Sequence, residues 1–149
     1  MPELVGSLCG PGCGAPLFFH VLGATLLFGG IAAVAILSWA AVRATEHAPL
    51  LRRLAFATTL LVVWPAWILM RISAQWVLSR EGLDKSTPGW VDVGFVVADA
   101  GLAVLLVVTL LAWLARRRRG ATVWVAALSS AYLLALGVAV FAMSAKPGS

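Results

Sequence analysis

The chain has 149 residues, 62% hydrophobic and 11% charged, with a mean hydropathy of +0.99 and a formal charge of +5. That balance excludes a water-soluble globular domain and leaves an all-α integral membrane protein, read as one transmembrane domain over the whole chain. The sequence has no phosphate-binding loop, no nucleophile elbow and no zinc-peptidase helix, so nothing points to an enzyme.

In chain order, Met1–Ala15 is rich in Gly and Pro and reads as a tight irregular cap carrying Cys9 and Cys13. It lacks the positively charged start of a secretory signal, and the apolar run after it is too long for a signal core, so it is expected to be retained. Four apolar runs follow, Pro16–Val42, Leu54–Leu78, Trp90–Leu114 and Thr122–Ser144. Each meets the ~20 residues needed to span a bilayer.

The first run opens on Pro16, suited to a first helical turn. It carries His20 and the small residues Gly23, Ala24, Gly29 and Gly30, which permit close helix approach. A polar linker, Arg43 to Arg52 with Pro49, suits antiparallel neighbours. In the second run Pro65 leaves the Leu61 carbonyl without its helical donor, which predicts a kink. Trp76 and Trp90 flank a charged second loop, Ser79 to Gly89, at interfacial positions. The fourth run has only Ser129, Ser130 and Tyr132 as polar groups within its middle and reads as a packing helix.

Seven of the eleven basic residues fall in two short loops: Arg43, Arg52 and Arg53, then Arg116 to Arg119. Those loops are expected to be cytoplasmic, which puts both termini outside. The arginine tetrad reads as a topology signal rather than a nucleic-acid site, acidic lipid being the other anionic partner such a cluster attracts.

Arg71 and Asp99 are ionisable groups inside apolar spans, where charge is costly and usually paired. With a rise of about 1.5 Å per residue, Arg71 lies roughly 10 Å, Gln75 roughly 5 Å, Asp92 about 3 Å, Asp99 about 14 Å and His20 about 6 Å below the outer boundary. Arg71 and Gln75 share one helix face, as do Asp92 and Asp99. The expected site is an outward-open polar cleft of His20, Arg71, Gln75, Asp92 and Asp99, with an Arg71–Asp99 ion pair and Trp67 stacked on the guanidinium. The pair is either a binding or proton-handling site or a clasp between helices.

His20 has three readings: a hydrogen bond to Asp92 or a carbonyl, a titrating group, or a haem or metal ligand. His47, the other histidine, lies in the inner linker, so a haem would have one axial ligand or be shared between protomers. Cys9 and Cys13 are expected to form a disulfide. The alternative is soft-metal binding, with Cys9, Cys13 and His20 as ligands for Cu(I).

Phe19-His20-Val21-Leu22-Gly23-Ala24 followed by Phe28-Gly29-Gly30 resembles the opening of small bacterial membrane proteins, including the CopD-like copper-resistance proteins and related four-helix integral membrane proteins. The resemblance covers about a dozen residues. It implies a compact helical protein of the bacterial inner membrane, with His20 as the one position carried over. The chain lacks the methionine-rich outer segment of the copper branch, Met70 and Met143 being isolated within helices.

The expected architecture is an antiparallel four-helix bundle, helices one to three enclosing the polar cleft and helix four closing it. The expected role is a non-enzymatic binding or accessory protein, as a homo-oligomer or part of a larger redox complex, holding haem, quinone or lipid. The alternatives are proton- or cation-coupled transport, copper handling, and a purely structural subunit.

Overall fold

The computed structural model describes residues 14–44, 46–81 and 89–145, and every described element is helical. Helix α1 is Gly14–Arg43. Helix α2 runs without a break through three segments, Ala48–Thr58 as α-helix, Thr59–Val63 as a π-helical turn and Trp64–Glu81 as α-helix again. Helices α3 and α4 are Gly89–Ala115 and Ala121–Ala145. Four segments, Gly14–Arg43, Ala48–Ser79, Gly94–Ala115 and Ala121–Ala142, are long and apolar enough to cross a membrane.

The first linker is shorter than the polarity of Arg43 to Arg52 suggests. Pro49 lies in the first turn of α2 rather than in a loop, because its fixed φ and missing N–H suit a helix start. Arg52 and Arg53 are therefore helical, and only the stretch from Ala44 to His47 connects α1 to α2. Pro65 also has a local solution. In the π-helical turn just before it, the Trp64 N–H reaches back five residues to the Thr59 carbonyl, while the Thr59 hydroxyl donates to the Ala55 carbonyl at 2.8 Å. The ladder is widened one residue ahead of the proline.

Helix α1 packs along both α2 and α4, and α3 packs along α4. Between α2 and α3 the backbones meet sparsely. This departs from the expected arrangement: α1 and α4 form the central pair, and the α2–α3 seam is spanned by long side chains. The core is built from Leu27, Ile31 and Val34 of α1, Val63, Ala66 and Met70 of α2, Leu105 and Val108 of α3, and Val125 and Tyr132 of α4. These recur at helical spacing, whereas Leu61, Ile72, Val96, Leu134 and Phe141 point outward. Outward apolar side chains are at home in hydrocarbon, which is as apolar as they are.

Close approach is set by glycines. A Cβ on Gly23 would lie 2.6 Å from the Met70 backbone nitrogen, and one on Gly30 would lie 3.0 Å from Val63 Cγ2. At Gly101 an added Cβ would overlap the ring and hydroxyl of Tyr132, which is buried and whose hydroxyl has no partner. Gly101→Ala is therefore expected to destabilise the bundle by about 1–3 kcal/mol through overpacking. Tyr132→Phe alone, which removes an unsatisfied buried hydroxyl, is expected to be neutral or stabilising. Thermal unfolding of both variants in detergent checks the opposite signs.

Candidate functional site

The N-terminal half of α1 and the C-terminal half of α2 are brought together by the bare Gly23. With no Cβ there, α1 lies directly on the α2 backbone at Met70, and His20, three residues earlier on the same side, reaches the Met70 carbonyl. His20 Nδ1 is 3.2 Å from that oxygen. A carbonyl only accepts, so Nδ1 carries the proton and donates it, which leaves Nε2 as the free ring nitrogen. Between the two hydrogen-bond partners expected for His20, the structure shows a carbonyl, that of Met70, rather than Asp92.

Arg71 follows Met70 and turns toward α3. Its Nε donates to Asp99 Oδ1 at 3.0 Å, the single salt bridge among the described residues. The guanidinium sits over the ring of Phe95, 4.8 Å from the centroid. Trp67 does not take that place, contrary to expectation. Its indole Nε1 donates instead to the Ala98 carbonyl at 3.1 Å, while Trp64 Nε1 donates to Thr109 Oγ1 at 3.0 Å. Trp64, Trp67 and Arg71 are spaced three and four apart, so they form one stripe of α2, and all three reach across to α3. The stripe explains how two helices with few backbone contacts are joined: large side chains fill the seam and end in polar ties.

The pair is not saturated. Arg71 contributes only Nε, rather than the two-pronged geometry a guanidinium offers a carboxylate, and its Nη1 is buried without a partner. Exposure is 23% for the Arg71 side chain and 59% for Asp99. The carboxylate therefore lies on the outer surface of the bundle, inside an apolar span, rather than in an enclosed core.

The structure thus joins His20, Arg71 and Asp99 through the Met70 backbone and the ion pair. Gln75 and Asp92 are exposed and make no hydrogen bond or ion pair among the described residues. They lie on the expected helices but are not drawn into the cluster. Cys9 and Cys13, whether read as a disulfide or as copper ligands with His20, lie outside the described residues. Among the described residues no three His, Cys, Asp or Glu side chains converge on one point. His47 stands at the N-cap of α2, far along the chain from His20.

Sequence reasoning missed Phe95 under the guanidinium. The available signal was its position four residues before Asp99, on the same face of α3. Comparison with protein-family models, with characterised proteins and with solved structures finds no match to this chain.

Proposed function

We propose that the chain is a non-enzymatic binding or accessory protein of the bacterial inner membrane, with antiparallel spans and both termini outside, that holds a small amphipathic ligand at Arg71 and Asp99. The observation that carries this reading is the incomplete pair: a buried Nη1 donor with no partner beside a largely exposed carboxylate, both within apolar spans. A buried donor left unpaired costs about 1–3 kcal/mol, which a ligand acceptor oxygen would recover. The apolar surroundings suit a ligand with acceptor oxygens on a hydrophobic body, the chemistry shared by haem propionates, quinone carbonyls and lipid headgroups. The free Nε2 of His20 adds a position for an axial haem ligand.

Protein purified in mild detergent from its native membrane is expected to retain such a ligand, detected by visible absorbance, metal analysis and mass spectrometry of the extract. Arg71→Gln is expected to lose it. Wild-type protein free of haem, quinone and stoichiometric lipid would overturn the reading.

Transport is the second reading, favoured by the π-helical turn Thr59–Val63 beside Pro65, since such ladder defects recur where helices move or bind. There Asp99 is the proton or cation site and Arg71 its counter-charge. Unchanged proton or cation flux for Asp99→Asn in proteoliposomes removes it.

A further inference from the structure

At the end of the bundle opposite His20 and Arg71, the end of α1, the start of α2 and the turn into α4 enclose a cleft of about 310 Å³. Its walls include Val42, Ala48, Arg52, Arg119, Gly120 and Val123. We infer that this cleft is a binding site for the headgroup of an anionic phospholipid, held by the guanidinium groups of Arg52 and Arg119 with the acyl chains leaving past Val42 and Val123. It is independent of the site at Arg71 and Asp99 and shares no residue with it.

Four observations converge. Arg52 Nε is buried without a partner, and neither Arg52 nor Arg119 makes a salt bridge or ring contact among the described residues. Arg116 and Arg117 are engaged, stacking on Phe56 at 5.2 Å and on Trp113 at 5.5 Å. Of the arginines at this end without an ion pair or ring contact among the described residues, Arg52 and Arg119 are the two that line the cleft. Glu46, the nearest carboxylate in sequence, is exposed and pairs with neither.

The apolar wall decides between a lipid and a soluble anion. Val42 is 40% and Val123 44% exposed, so the cleft opens onto the hydrocarbon-facing surface of the bundle. A free phosphate gains nothing from such a wall, whereas an acyl chain does. The volume is about ten times a water's share of liquid volume, ~30 Å³, room for a phosphodiester with its glycerol. Guanidinium is suited to phosphate because its planar fork donates to two oxygens at once. Basic pockets between transmembrane helices near the cytoplasmic surface bind such headgroups for the same reason.

The test is a titration of the full chain in detergent with phosphatidylglycerol and with phosphatidylcholine, read by native mass spectrometry. Wild type is expected to bind phosphatidylglycerol about tenfold or more tighter than phosphatidylcholine, and R52Q/R119Q is expected to lose that preference. R43Q/R118Q, which removes the same charge outside the cleft, is expected to keep it. Loss of preference in both double variants would mean diffuse attraction to the basic end and overturn the site. Displacement of phosphatidylglycerol by millimolar inorganic phosphate would reassign the cleft to a soluble anion. Should R52Q/R119Q not fold, equal binding of the two lipids by wild type would itself overturn the proposal.

Discussion

Replacing Gly23 by valine is expected to destabilise the bundle by about 3 kcal/mol, the upper end of the usual range for overpacking. At Gly23 an added Cβ meets the Met70 backbone nitrogen at 2.6 Å and Met70 Cα at 2.9 Å. Neither atom can turn away as a side-chain tip would, so α1 and α2 must separate around this crossing. The separation also withdraws His20 from the Met70 carbonyl, because the two contacts lie one turn apart on α1. Gly29→Val is the matched control: nothing lies within 4 Å of a Cβ there, so it is expected to be near neutral. Thermal unfolding in detergent, with the His20 tautomer followed by nitrogen NMR, reads both consequences. Equal effects at the two glycines would refute the close crossing.

The second large effect is expected at the ion pair. Arg71→Leu leaves Asp99 as a lone carboxylate within an apolar span, and Asp99→Leu leaves Arg71 as a lone guanidinium with a buried Nη1. Each single change is expected to cost about 2–3 kcal/mol, the scale for an uncompensated charge at the centre of a span. The double variant is expected to cost less than either, because removing both partners removes the penalty of the orphan. A double-mutant cycle measured in bicelles gives the coupling, and strictly additive losses would show that the two charges do not support one another. The same variants separate a clasp from a working site. In the double variant stability returns while ligand retention does not, if the pair binds as proposed. A structural clasp would restore everything measurable.

The partnership of Arg71 and Asp99 was legible in the sequence because charge in an apolar run is rare and helical rise converts position into depth. Depth and face were not enough for Gln75 and Asp92. Each lies on the expected helix, yet both are exposed and unpaired among the described residues. Membership of a cluster depends on how each helix is rotated about its axis. That rotation also put Phe95, not Trp67, beneath the guanidinium, since the Trp67 indole is held by the Ala98 carbonyl. Arg52 and Arg119 are 67 positions apart in the chain and read individually as topology signals. Only the meeting of the starts of α2 and α4 with the end of α1 makes them two walls of one cleft.

Length and hydropathy alone determined that the chain forms four helices long and apolar enough to span a bilayer, because backbone polar groups in hydrocarbon must be satisfied within each segment. They had no hold on which side of a helix turns inward. In water an apolar stripe would have declared the core, but lipid is as apolar as leucine, and these helices are apolar all round. The inward faces were decided by tertiary contacts: the absent side chains of Gly23, Gly30 and Gly101, and the few indole, hydroxyl and guanidinium groups that reach a partner on another helix.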